Sequence, residues 1–393
     1  MDVGVYGSDR TERIMRERVQ ARWSAAYAPV RHLDPLLVIS ALLLTGIGLV
    51  AIYSSKLQAL TVQGLPTSTY ISRQGIALLI GLVALGVGAL FDYRHLRGYS
   101  AVLYLGSLFL LVLTLTPLGT EINGSQRWLI IGGFQLQPAE LAKLAVLASV
   151  AALLHERKGE PGLPTMAIGL VLAAVPMTLV FLQPDLGTSI VFVWLAAVLF
   201  LVGGVQARYL IGLSIAGIAG VAAALRLEII QAYQLQRLTA FLDAGDPSLA
   251  QTSAFHTRQS LIAIGSGQFF GKGLFEGTQT SLSYVPENHT DFIFTVIGEE
   301  FGFIGAAAVL GLFLVFIWRG LRIAVLAKDL FGTLLAAGIV GVFTMQVFMN
   351  VGMTVGIMPV TGIPLPFVSY GGTSLIVWMA MVGLLLNVHM RRF

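Results

Sequence analysis

Ten apolar runs of about 20 residues each constrain this chain more than any other feature, because each is long enough to cross roughly 30 Å of hydrocarbon. They lie at 35–54, 74–91, 98–118, 138–155, 164–182, 187–204, 209–226, 290–318, 331–352 and 371–390. Only 11% of the 393 residues are charged and 56% are hydrophobic, whereas a soluble domain carries about 25% charge. Backbone polar groups in hydrocarbon must be bonded within their own segment, and no barrel-like period-two alternation is present, so the runs are predicted as helices. The expected fold class is an all-α polytopic membrane protein with about ten transmembrane helices.

Basic residues set the orientation. With the N-terminus inside, sixteen of the 24 lysines and arginines fall on the cytoplasmic side, seven fall outside, and Lys143 lies within a span. That excess obeys the positive-inside rule and places both termini in the cytoplasm. Residues 1–33 are polar, with Arg10, Arg13, Arg16, Arg18, Arg22 and Arg31. They read as a retained cytoplasmic arm rather than a signal peptide, and residues 34–393 as the transmembrane domain. The outer loops are then 119–137, 183–186, the long segment 227–289 between helices 7 and 8, and 353–370. The motifs gather in these loops, which puts function on the outer face. The absence of cysteine excludes disulfides, thiol catalysis and cysteine-ligated metal. A net charge of +4 gives no reason to invoke nucleic acid.

Five titratable groups crowd into Tyr284–Glu300: Glu287, His289, Asp291, Glu299 and Glu300. A partly desolvated carboxylate at the membrane edge has its pKa pushed up into the range of a general base, and Asp291 is that candidate. Oxygen ligands with one imidazole also suit Mg²⁺ or Mn²⁺, so Glu287, His289 and Asp291 form a weak candidate cation site. Glu299 and Glu300, about two turns deeper, read as buried acids or partners for Lys143. The sequons Asn123-Gly-Ser and Asn288-His-Thr read as coincidences.

Four further stretches carry polar chemistry. Pro138 suits a first helical turn, and Glu140 and Lys143 share one helix face and can pair. Arg127, beside Trp128, can grip a pyrophosphate bidentately. Asp185, in Gln183-Pro-Asp-Leu-Gly-Thr-Ser189, can cap the following helix, whose N-terminus also suits an anion. The glycines around Lys272 lack phosphate-loop spacing and read as a short helix at Ser260–Ile264 with flexible turns. There Lys272 and Arg258 are placed to steer a polyanionic headgroup. Pro359–Ser374 has three prolines and three glycines between two spans, the composition of a re-entrant loop. Such a loop is tolerated only where protein or a cavity surrounds it. Its Ser369, Tyr370 and Ser374 offer hydroxyls to a polar ligand.

These motifs, in this order, resemble the SEDS family of cell-wall polymerases, RodA and FtsW, over nearly all of the chain after residue 33. The matching stretches are Gln126–Trp128, Gln137–Lys143, Gln183–Ser189, Pro286–Phe294 and Pro364–Gly372. Gly277-Thr-Gln-Thr-Ser-Leu is similar to the RodA branch. The resemblance implies a multi-pass protein of the bacterial cytoplasmic membrane that polymerises lipid II by inverting glycosyl transfer, with undecaprenyl pyrophosphate leaving. It implies an essential acid at Asp291, the intramembrane pair at Glu140 and Lys143, and the arginine at Arg127. The partners implied are a class B penicillin-binding protein and the elongation complex. It names no certain cofactor, and a divalent cation is the alternative. A lipid II flippase and a non-catalytic scaffold are the rival readings. No inverted repeat is visible, and the motifs cluster on one face rather than at the midplane where a translocase binds.

Because the chain lacks cysteine, single introduced cysteines report sidedness. A cysteine replacing Glu276 is expected to react with a membrane-impermeant maleimide in intact spheroplasts. One replacing Lys328 is expected to react only after permeabilisation.

Overall fold

The computed structural model describes residues 32–122, 124–157, 161–226, 253–281 and 287–392. Nearly all of the arm at 1–33, the stretch 227–252 of the long outer loop, Asn123, Lys158 and Tyr284–Pro286 lie outside the described residues. Twelve helices are described. They are α1 (Pro35–Val62), α2 (Thr69–Leu90), α3 (Tyr93–Thr114), α4 (Pro138–Glu156), α5 (Leu163–Phe181) and α6 (Leu186–Val202). Then follow α7 (Ala207–Arg226), α8 (Ser253–Ser266), α9 (Thr278–Ser281), α10 (Ile293–Val325), α11 (Leu330–Thr354) and α12 (Gly372–Met390). All ten expected spans are helical. Eight are long and apolar enough to cross a membrane; α6 and the apolar part of α7, Ala207–Gly220, are shorter.

The helix starts follow local chemistry. Asp34, Asp185 and Asp329 cap α1, α6 and α11 by accepting from Leu37, Thr188 and Gly332 N–H groups. Pro35 and Pro138 occupy first turns, where a missing N–H costs nothing. Helices α4, α11 and α12 are buried over most of their length, whereas α2 and α3 turn apolar side chains such as Leu79, Val83 and Phe109 outward. An outward apolar face is what lipid requires.

Two departures from the expected architecture matter for the site. The first outer loop contains a small antiparallel sheet, β1 (Thr120–Ile122), β2 (Ser125–Ile131) and β3 (Phe134–Leu136), in that order. It carries Arg127. The second departure is a break in α10 at Gly302 (φ 64°, ψ −160°). An unbroken helix would bond Phe303 N–H to the Glu299 carbonyl and Ile304 N–H to that of Glu300. Instead Lys272 and Gly273 N–H groups donate to Glu299 and Glu300 (3.0 and 3.1 Å), while Phe303 and Ile304 donate to Gln268 and Phe269 carbonyls (2.9 and 3.2 Å). The glycine-rich stretch is therefore a backbone splice across the broken helix, not the set of flexible turns expected. The expected short helix at Ser260–Ile264 is the middle of the longer α8.

Arg319, paired with Asp34 at the cytoplasmic end (2.5 Å), lies 17 residues beyond Gly302. At 1.5 Å per residue that is about 25 Å, which puts the break near the outer edge of the hydrocarbon. The crossing part of α10 is thus 303–325, further along than the expected 290–318. The segment from Ile293 to Glu300 is buried in protein at the outer rim.

A Cβ at Gly302 would meet the backbone nitrogen of Gly271, and the positive φ is itself unfavourable for an L side chain. Gly302→Ala is expected to cost about 2–4 kcal/mol, seen as a lowered unfolding midpoint in detergent. Gly311→Ala, with open space around its position, is the control and is expected to change little.

Candidate active site

Asp291 sits in a turn just ahead of α10, half-buried. The turn closes on the Glu287 carbonyl, which accepts from Thr290 and Phe292 N–H groups (3.1 and 3.2 Å). Three consecutive carbonyls of this turn are then held from outside it. Tyr370 N–H donates to His289 (2.9 Å), Ser369 Oγ to Thr290 (2.6 Å), and Asn350 Nδ2 to Asp291 (2.8 Å). The first two donors belong to the loop 357–371, which is re-entrant as expected. Its Ile363, Leu365, Phe367 and Val368 are buried. Gln74 on α2 grips the same loop, donating to the Ser369 carbonyl (3.3 Å) and accepting from Gly371 N–H (3.2 Å). The Asp291 carboxylate faces Gly362, whose Cβ position would be 3.3 Å from Oδ2.

The predicted ligand hydroxyls therefore have structural engagements. Ser369 Oγ also accepts from Leu365 N–H (2.8 Å). The Tyr370 ring packs against Tyr70 and His289, with centroids 5.2 and 5.6 Å away. Burial pushes the Tyr370 hydroxyl pKa up, against the pull of the hydrogen-bonded Arg73. Ser374 is buried one helical turn into α12.

A second group joins this one through the same loop. Arg127 on β2 pairs with Asp185 (3.0 Å), which also caps α6 through Thr188 N–H and takes the Thr188 hydroxyl (3.0 Å each). The expected cap and the expected anion-binding arginine thus meet. Gly187 abuts the Thr361 carbonyl, and the next residue, Gly362, faces Asp291, so two loop residues bridge the two groups. Glu140 and Lys143 pair at 2.7 Å with at most 2% of either side chain exposed. Thr373 Oγ1 ties the start of α4 to α12, accepting from Gln137 N–H (3.1 Å) and donating to the Gln135 carbonyl (2.8 Å).

Two further expectations change. Lys143 is engaged by Glu140, and the fully buried Glu299 by Lys272 (2.8 Å), so Glu299 is not the partner expected for Lys143. Glu299 also accepts from Gln279 and Thr280 N–H groups (2.8 and 2.9 Å) and the Thr280 hydroxyl (2.7 Å). Lys272 thereby anchors the splice, while Arg258 is exposed. Glu300 accepts from Ser54. Among the described residues no three His, Asp or Glu side chains gather as metal ligands. Glu287 Oε2 takes the Thr290 hydroxyl (3.0 Å), and the His289 ring lies edge-on to Tyr70 at 5.2 Å.

A family model described as a cell cycle protein, FtsW/RodA/SpoVE, matches residues 34–392. The chain belongs to the FtsW/RodA/SpoVE family. It is similar to stage V sporulation protein E of Bacillus subtilis, with 39% identity over 90% of this chain and 96% of that protein. It is similar to the peptidoglycan glycosyltransferase MrdB of Escherichia coli K12, with 38% identity over 92% and 94%. A probable peptidoglycan glycosyltransferase FtsW of Geobacter sp. M18 is 36% identical over 92% and 98%. Among solved structures, a chain of a peptidoglycan synthase complex described by its coordination of polymerization and crosslinking superposes with a TM-score of 0.76. That match has 32% identity and covers 92% of this chain and 98% of the other. The rod shape determining protein RodA of Thermus thermophilus gives a TM-score of 0.68 at 31% identity, with the same coverage. As a family member with eight candidate spans, the chain is a multi-pass protein of the bacterial inner membrane.

Sequence reasoning missed Asn350, Gln74 and Thr373. A signal existed: Gln74 and Asn350 are polar residues inside apolar runs, and such residues are rarely without purpose.

Burial, then the Lys56 ammonium, holds the His289 pKa down at about 4, against the opposing Glu287 carboxylate. The unfolded imidazole titrates near 6.5, so the unfolded state takes up the proton first. The stability due to His289 is fully present above about pH 6.5 and is lost as pH falls toward 4. His289→Gln is expected to flatten the decline of the unfolding midpoint across that window relative to wild type.

Proposed function

We propose that this chain is a peptidoglycan glycosyltransferase that polymerises lipid II at the outer face of the cytoplasmic membrane. The observation that carries the reading is the half-buried carboxylate of Asp291, on a turn whose carbonyls are held by a packed loop and by α11. It is supported by a family that includes proteins named peptidoglycan glycosyltransferase. In the reaction, Asp291 takes the proton from the C4 hydroxyl of an acceptor GlcNAc. The oxygen bonds to the anomeric carbon of a MurNAc, the bond to undecaprenyl pyrophosphate breaks, and the configuration inverts. A positioned base contributes about 10²- to 10⁴-fold to such a step.

The pyrophosphate needs a counter-charge. Arg127 suits this role best, because it is one-fifth exposed and its guanidinium can bind a phosphate while Asp185 keeps it oriented. Lys143 is enclosed with Glu140 and serves as part of the frame. The Gly277–Leu282 stretch favours a RodA-like role in elongation and rod shape. The likeness to a chain of a peptidoglycan synthase complex supports a class B penicillin-binding protein as partner.

With purified protein, its partner and labelled lipid II, wild type is expected to form glycan chains. Asp291→Asn is expected to lose at least about 10²-fold in turnover. Polymer at the normal rate from Asp291→Asn would remove Asp291 from the chemistry. Transbilayer movement of lipid II without any polymer would favour the flippase.

A further inference from the structure

Asn350 on α11 is completely buried, one turn from the buried Gln346 and Thr354 on the same helix. Its Nδ2 donates to two carbonyls, those of Asp291 and Ile363, at 2.8 Å each. Its Oδ1 is buried and has no hydrogen-bond partner among the described residues. Leaving a buried carbonyl unpaired is unfavourable, yet the reversed amide would set that oxygen against two acceptors. The position is therefore arranged for its two donors. An apolar side chain of equal size would strand both carbonyls in a dry interior.

What the two acceptors share is their relation to the carboxylate. Holding the Asp291 carbonyl constrains the peptide plane next to its Cα, and with it the direction of the Cα–Cβ bond from which the carboxylate departs. The second acceptor belongs to Ile363, adjacent to Gly362, the residue that the Asp291 carboxylate faces. One amide thus sets the spacing between the carboxylate's own backbone and the surface it faces. The donor comes from a 25-residue helix buried over most of its length.

We propose that Asn350 is a positioning residue for glycosyl transfer, holding the Asp291 backbone against the 357–371 loop so that the carboxylate is aimed at the acceptor hydroxyl. This rests on the reading of Asp291 as the base. A misplacement of about 1 Å can cost roughly 10²-fold in rate without weakening substrate binding.

The test uses full-length Asn350→Leu and Asn350→Asp, each purified with its partner transpeptidase. Folded fraction comes from thermal unfolding, and kcat and KM from labelled lipid II. Both variants are expected to lose roughly 10- to 100-fold in kcat per folded molecule while KM stays within about threefold. Asn350→Gln, which keeps the amide one methylene further out, is expected to fall between them and wild type. A merely structural residue would lower the folded fraction and leave turnover per folded molecule unchanged. That result, a loss confined to KM, or failure of all three variants to fold would overturn the proposal. Asp291→Asn, assayed alongside, separates the two readings: if it is inactive while the Asn350 variants turn over normally, only the positioning role falls.

Discussion

Three carbonyls in a row, at His289, Thr290 and Asp291, determine how the outer half of this protein is built. All three accept from donors outside their own turn, and His289 is buried. A buried backbone group without a bond costs several kcal/mol. The re-entrant loop supplies two of the donors and α11 the third. The loop in turn is fastened by Gln74 from α2, and it lies so close to α1 that a Cβ at Gly48 would approach the Val368 carbonyl to 2.6 Å. The backbone beneath the Asp291 carboxylate is therefore held by hydrogen bonds from the loop and α11, with the loop itself fastened by α2 and packed against α1.

The broken helix α10 is the same solution applied twice over. Gly302 interrupts two hydrogen bonds, and the glycine-rich stretch makes up all four freed groups. A short buried helix can then leave the outer rim at its own angle and present its N-terminal turn to the loop. The buried Glu299 carboxylate secures the splice from the side-chain direction through Lys272 and the start of α9. Buried ion pairs seldom add net stability, because desolvation offsets attraction, but breaking one leaves a charge stranded. Lys272–Glu299, Glu140–Lys143 and Arg127–Asp185 act in that sense as registration marks. Each penalises any arrangement that separates its two partners.

Much of the fold could be read from the sequence because hydrocarbon leaves few choices. Run length gave the helices, arginine and lysine placement gave an orientation, and Pro138 and Asp185 marked two starts. The re-entrant loop followed from its prolines and glycines. Other features were hidden because they depend on pairs distant in sequence. Nothing local to Gly302 announces a break, since isolated glycines recur throughout the spans. Nothing local to Lys272 indicates Glu299 rather than a lipid headgroup. Ser369 and Tyr370 looked like ligand groups because hydroxyls in an odd loop usually face something polar. Here the Ser369 hydroxyl is spent on the Thr290 carbonyl, and the Tyr370 hydroxyl on Arg73.

In the role proposed for Asp291, the arrangement lets a carboxylate on a turn stand on a fixed backbone. Turns are ordinarily the mobile parts of a fold, and a base must hold its geometry to a fraction of an ångström to act on a weak nucleophile such as a sugar hydroxyl. A helix would supply rigidity but would bury the carboxylate or aim it along the helix face. The chain instead exposes the side chain and immobilises the peptide beneath it, with one bond per residue on three successive residues. The side opposite those bonds is left for an acceptor to approach. The Arg127–Asp185 pair connects to the same loop through Gly187, which abuts the Thr361 carbonyl beside Gly362. Under the proposed roles, the base and the counter-charge are both tied to the Thr361–Gly362 stretch of the loop, Asp291 directly and Arg127 through Asp185 and Gly187.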